Sequence, residues 1–289
     1  MAQKSFLLVT VTICNLLLSS RSIAGEIIKV KIAAPEYVYE NFQHWNTAVP
    51  CKMLKTYHSE FANRATVDLM LICRALYESD LKFNLQLTLY PNYSRMLAEV
   101  KRGRENIPAE TIWKNEIDES VLYKTEPIIP IGGFIKGVYV KAGNTRLANV
   151  KSLDELKKFK GVMIKNWVID WNTMESFGLD TLYETNGLES MYKLINNNRA
   201  DFTLFEFSQT QHKVQKLKDI NLVPVKGIKV KLLGERSFVV SKKSKNADKI
   251  YAHLNKGIAI LRKNKEIERA YLESKFINPD VADWVLLNP

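Results

Sequence analysis

Beyond its apolar beginning, the chain alternates short strand-like runs with helix-like runs almost to its end, and no other feature restricts the fold as much. Ile27–Ala33 alternates apolar and polar residues as a strand does. Phe61–Tyr77 carries apolar residues at helical spacing. Leu85–Tyr90 reads as a second strand. Ser94 caps a helix that carries Met96, Leu97 and Val100 and ends at Gly103. Between these, Pro35 to Ser59 reads as a polar, aromatic loop. Asn106–Trp113 reads as a short strand, and Gly132–Val140 begins with two glycines and becomes a strand. Ser152 and Glu155 have the spacing of a capping box that opens a helix over Ser152–Lys160. Strands follow at Val162–Ile164, Ala200–Glu206, Leu222–Val225 and Phe238–Val240. Helices follow at Leu188–Asn197, Ala247–Lys263 and Lys265–Leu272. This order specifies an α/β fold with mixed, mainly parallel sheets. In such sheets ligands sit beyond the carboxyl ends of strands. Those ends place Pro35–Tyr39, Pro91–Arg95, Trp113–Asn115, Lys165–Trp171 and Glu206–Gln209 in view.

The first 24 residues carry an address. Lys4 starts them positively, Phe6–Leu18 is mostly apolar, and Ser22-Ile23-Ala24 sets small residues before a cut at Gly25. This is the pattern of a cleaved secretory signal peptide, and the apolar run is too short for a membrane span. Cleavage removes Lys4 and Arg21 and no acid, so the formal charge falls from +11 to +9. The remaining lysines cluster in solvated stretches with no nucleic-acid-binding module, so a nucleic-acid partner is not expected. The mature chain keeps Cys51 and Cys73, and export permits a disulfide between them. The four histidines have no ligand spacing, and no metal or cofactor is expected.

Several short runs have a shared order. Ala34-Pro35-Glu36-Tyr37 is a proline–aromatic loop. Ser94–Leu97 leads to Gly103-Arg104-Glu105-Asn106, similar to a helix ending G-x-x-D with Asn106 for the Asp. Leu122–Ile128 resembles F-S-x-P-Y, Ser152–Leu156 matches S-L-x-D-L, Asn198–Asp201 resembles G-R-A-D, and Ser241-Lys242-Lys243 resembles a return strand. In this order they resemble the extracellular solute-binding proteins of family 3, the amino-acid-receptor type. The resemblance implies a two-lobed type II periplasmic binding protein fold, with two sheets joined by two hinge crossovers near Val140 and Leu233. Lobe one would comprise residues 25–139 and 235–289, and lobe two residues 140–234. It implies a periplasmic monomer that takes a small solute into an interlobe cleft and hands it to an inner-membrane permease for ABC-type import. The same cleft would serve a sensory receptor docked on a membrane sensor protein, or a dehydratase-like enzyme with Glu206 as acid. No nucleophile–base pair or phosphate loop supports the enzyme.

Two departures bear on the ligand. Glu116-Ile117 stands where α-amino-acid binders carry Glu-Arg, and isoleucine cannot bind a carboxylate. Asn166-Trp167 stands at the family's Gly-Ser turn, which also holds the carboxylate. Glu206 falls at the position of the amine-binding Asp. The expected pocket therefore comprises Tyr37, Tyr39, Trp113, Asn166, Trp167 and Glu206, with Arg95 or Lys114 as anion holders. It suits a polar, aromatic or cationic solute better than a standard α-amino acid.

Overall fold

The computed structural model describes residues 26–207 and 212–288. The expected leader, residues 1–24, lies outside the described residues, as do residues 208–211, so the expected Glu206–Gln209 segment is described only in part.

Strand β1 (Ile28–Pro35) buries Ile28, Val30 and Ile32 on one face, as its alternation requires. It is followed by helix α1 (Glu36–Ala48), helix α2 (Arg64–Glu78), β2 (Phe83–Tyr90), α3 (Tyr93–Lys101) and β3 (Ile107–Pro108). The strand order is β2-β1-β3 and both pairings are parallel, with Ile28 opposite Phe83 and Pro35 opposite Tyr90. Helix α1 corrects the reading of Pro35 to Ser59 as a loop. Val38, Phe42 and Trp45 are buried at helical spacing, and the interleaved Tyr37, Tyr39 and His44 hide that face in the sequence.

Asn63 caps α2 by accepting a hydrogen bond from the Thr66 backbone N–H. Nearly every residue of α2 is buried, because α1, the Ala247–Lys263 helix and the Glu266–Glu273 helix all pack on it. A Cβ at Gly257 would stand 1.8 Å from the Ala75 carbonyl oxygen, so only glycine lets these two helices approach this closely. A disulfide joins Cys51, in the turn after α1, to Cys73 of α2, with their Cα atoms 6.1 Å apart. Asn106, the Asp substitute, is buried between segments. Its oxygen accepts from the Lys31 N–H, and its amide donates to the Ser244 hydroxyl and the Lys245 carbonyl. An aspartate could accept the first of these but could not donate the other two.

A second core runs from Val138 to Val230, so the fold is two-lobed. Its largest sheet pairs Ile135–Lys141 antiparallel with Thr203–Phe205 on one side and with Ile220–Lys231 on the other. Gly161–Ile164 and Leu182–Thr185 form a parallel pair beside it, joined through the Val168–Ser176 helix. The pairing is mixed: the three-stranded sheet of lobe one is parallel, but Ile112–Trp113 and Leu122–Lys124 pair antiparallel with Arg236–Ser237 and Val239–Ser241, and the large sheet of lobe two leans to antiparallel pairs. The Ser152 capping box forms, but its helix covers only Leu153–Leu156. Among the described residues no helix is long and apolar enough to cross a membrane.

The chain leaves the first core after Phe134, earlier than the expected Val140, and returns at Leu232. The two crossing strands are hydrogen-bonded neighbours, and Leu232 N–H donates to Phe134 O at 2.8 Å. A third crossing was not expected. After Phe276 the tail goes back to lobe two, where Val281 and Leu287 enter the second core and Val285–Leu286 pairs with Ile228–Lys229. Residues 235–289 therefore do not all belong to lobe one. Asn288 finishes the tail by accepting from Lys231 N–H and donating to Lys231 O.

Leu287→Ala should cost about 2–3 kcal/mol in chemical denaturation, although Leu287 is almost the last residue. Replacing Cys51 and Cys73 together by serine should cost about 3 kcal/mol, and the intact protein should lose the same amount under reductant.

Candidate functional site

The lobes meet around a buried guanidinium. Arg64 is the first residue of α2, and each of its three nitrogens faces a different carboxylate. Nη1 lies 2.9 Å from Asp68 Oδ2, one turn along the same helix. Nη2 lies 2.7 Å from Glu110 Oε2, in the segment between β3 and Trp113. Nε lies 3.4 Å from Glu206 Oε1, which belongs to lobe two. Burial alone would lower the Arg64 pKa, but Glu206, Glu110 and Asp68 together hold it well above its ordinary value.

The carboxylates are held in turn. Asp68 also accepts from the Thr111 N–H and hydroxyl at 2.9 and 2.8 Å and from the Tyr271 hydroxyl at 2.6 Å. Burial pushes the Asp68 carboxyl up, and Arg64 and the Tyr271 hydroxyl pull it back. Burial, then the Asp68 charge, raises the Tyr271 phenol well above its usual range, so it remains a donor. Glu110 accepts from Arg236 at 3.2 Å and from the Tyr37 hydroxyl at 3.3 Å. Arg236 Nε donates to Thr111 Oγ1 at 2.9 Å, and its Nη2 also donates to the Thr111 carbonyl. Two guanidinium groups thus face three carboxylates, leaving one negative charge in excess.

Aromatic rings surround this cluster. The Arg236 guanidinium lies 4.6 Å from the Trp113 ring centre, and Arg64 lies 5.6 Å from that of Phe134. Trp113 and Phe134 are 5.1 Å apart. Gly234, on the returning crossover, passes so close that a Cβ would stand 3.0 Å from Trp113 Cε3 and 3.4 Å from Ile169 Cγ2. On the lobe-two side, Lys136 is buried in an ion pair with Asp170, 5.5 Å from the Trp167 ring and 5.6 Å from Phe134.

Tyr37, Trp113, Trp167 and Glu206 of the expected pocket therefore surround one interlobe cluster, linked through Glu110, Arg64, Phe134 and Lys136. The others stand differently. Tyr39 packs on the first core, and no contact joins it to this cluster among the described residues. Arg95 stands on α3, outside the cluster. It pairs with Glu99 at 3.0 Å along α3, and Asn92, not Ser94, caps that helix. Burial raises the Glu99 pKa, but Arg102, Arg104 and Arg95 together hold it below its ordinary value. Lys114 is exposed, with its ammonium 3.0 Å from Glu235. Asn166 is exposed beside Trp167. Sequence reading missed Arg64, Glu110, Phe134, Lys136, Asp170 and Arg236. Lys136 alone carried a signal, a single cation inside the apolar run Phe134–Val140.

The two lobes and their strand order define the type II periplasmic binding protein fold. Three solved structures illustrate the likeness. The probable amino-acid ABC transporter extracellular-binding protein ytmK from Bacillus subtilis matches with TM-score 0.59 and 14% identity, over 88% of this chain and 100% of that one. Substrate binding domain 2 of Lactococcus lactis GlnP, in its open conformation, matches with TM-score 0.51 and 14% identity, over 85% and 94%. The amino acid ABC transporter substrate-binding protein AbpA from Streptococcus pneumoniae, bound to L-arginine, matches with TM-score 0.50 and 18% identity, over 85% and 95%. At these identities the likeness is one of fold. No protein-family model and no curated protein matches the chain.

Arg64→Met leaves three carboxylates without their shared cation and should cost about 3–5 kcal/mol in urea denaturation. Glu206→Gln should cost under about 1 kcal/mol, because Glu206 is partly exposed and its contact with Arg64 is long. The contrast separates the structural half of the cluster from the half available to a ligand.

Proposed function

We propose that this chain is a periplasmic solute-binding protein that captures a small cationic solute, flat or aromatic in part, between its lobes for ABC-type import. The observation that carries this reading is the state of the charges at the lobe junction. All three nitrogens of Arg64 are engaged by carboxylates, and Lys136 is paired with Asp170. Arg236 is engaged by Glu110 and Thr111. These buried cations are committed to the protein's own groups, so a ligand carboxylate finds few donors there. Glu206 is about one-third exposed, and its ion-pair contact with Arg64 is long. It is the group best able to accept a cation, beside the half-buried Trp167. Ile117 packs on the first core and Asn166 is exposed, so neither replaces the carboxylate holders of α-amino-acid binders. Glu206 lies on lobe two and Tyr37 on lobe one, so a solute touching both gains contacts only when the lobes are together, which is the condition for hinge closure on a ligand.

The proposal gives the protein no catalytic step. Glu206 faces the Arg64 guanidinium, and no nucleophile–base pair stands beside it among the described residues. In a thermal-shift panel of the mature chain against polyamines, betaines, aromatic cations, sugars and amino acids, the hits should be cationic. At about 100 times its dissociation constant a ligand should add about 2.7 kcal/mol. Binding should be lost in Glu206→Ala and weakened about tenfold or more in Trp167→Ala, as read by calorimetry. Preferential binding of an acidic amino acid, or a hit unaffected by both variants, would overturn the reading.

A further inference from the structure

The geometry points to a second small-molecule site, behind the hinge in lobe one, for a monoanion with an apolar body. A cavity of about 340 Å³ opens there, well away in sequence from Trp167 and Glu206. That volume is within the roughly 300–1,000 Å³ of small-molecule pockets. Its walls are Ile128, Ile129, Ile267, Tyr271 and Phe276, all buried members of the first core. Ile277, which is 41% exposed, stands at the mouth. A cavity with such walls releases poorly bound water to an apolar ligand.

The charges at the cavity are few and unequal. Arg262 and Lys265, from the end of the Ala247–Lys263 helix and the turn after it, both line the cavity and are exposed. Arg262 donates one bond to the Pro127 carbonyl at 2.8 Å, and neither side chain is in an ion pair among the described residues. Glu268 is the opposing charge. Two cations and one carboxylate beside an apolar chamber select a ligand whose tail enters and whose negative head stays at the rim. A neutral alcohol would lack the head-group attraction, and a short acid such as acetate would lack the buried tail.

The position gives such a ligand mechanical reach. The Pro127–Gly133 wall leads directly into the first crossing at Phe134, and Phe276–Ile277 leads into the third. Phe276 packs against Phe134 with ring centres 5.0 Å apart, and the Tyr271 hydroxyl ends on Asp68, the Arg64 partner.

Sodium octanoate is the probe, titrated into the mature chain by calorimetry with hexanoate, acetate and 1-octanol alongside. Octanoate should bind, hexanoate should be weaker by about fourfold for each methylene removed, and acetate should show no heat. 1-Octanol should bind at least tenfold more weakly than octanoate. Arg262→Glu/Lys265→Glu should abolish binding while the thermal transition stays cooperative, its midpoint lowered by only a few degrees for the lost Arg262 bond to the Pro127 carbonyl. Glu268→Gln should tighten binding several-fold, a gain that misfolding cannot mimic. Glu206→Gln should leave the octanoate isotherm unchanged, which keeps this site separate from the cleft. The inference fails if octanoate does not bind at millimolar concentration. It fails equally if 1-octanol binds as well, if the charge reversals have no effect, or if only the Glu206 variant loses binding.

Discussion

One cation organises the junction of the lobes. The Arg64 guanidinium joins a carboxylate of its own helix, one from the segment after β3 and one from lobe two. Through Asp68 it reaches Tyr271, and through Glu110 it reaches Arg236 and Tyr37. A buried charge is tolerable only when its partners are in place, and here those partners come from segments far apart in the chain. The cost of misplacing any of them helps to restrict how these segments can assemble, beyond what apolar burial alone demands. This cluster therefore works as a register mark for lobe one, and its long contact to Glu206 extends it to lobe two.

That architecture explains which parts of the molecule can be read from the chain. β1 and β2 are legible because strand alternation is local, and α2 is legible because its apolar spacing is uninterrupted. α1 is not, since its buried face is broken up by tyrosines and a histidine that lie on the helix's other sides. The recognition of Tyr37, Trp113, Trp167 and Glu206 as neighbours rested on strand ends, which are local features. Arg64, Glu110 and Arg236 have no such signature. They are separated by 46 and 126 residues, and a charged side chain looks like surface until its partners are known. Arg95 shows how a local partner can change such a reading. Its place at a helix start suggested anion binding, but Glu99 on the same helix reaches it first.

The departures from the amino-acid-receptor pattern take on physical meaning in this setting. Asn106 for Asp allows one side chain to join β1 to the residues after the return strand, accepting on one side and donating on the other. Ile117 places an apolar side chain against the first core. Trp113 spends one face on Arg236 and its edge on the Gly234 crossover, so it serves the junction more than any solute. Trp167, with Lys136 on one side, is the aromatic ring less fully committed to the protein.

The tail has a kinematic consequence. Two rigid bodies joined by two adjacent strands keep one easy freedom, rotation about the line through the joints. The segment after Phe276 is a third junction, and its far end is fastened by Val281, Leu287 and the paired bonds of Asn288. Those bonds fall on Lys231, one residue before the returning crossover reaches Leu232, so the tail is tied beside the crossing strands. Its fastened end therefore moves with lobe two, and the few residues between Phe276 and Val281 form a third tether across the junction.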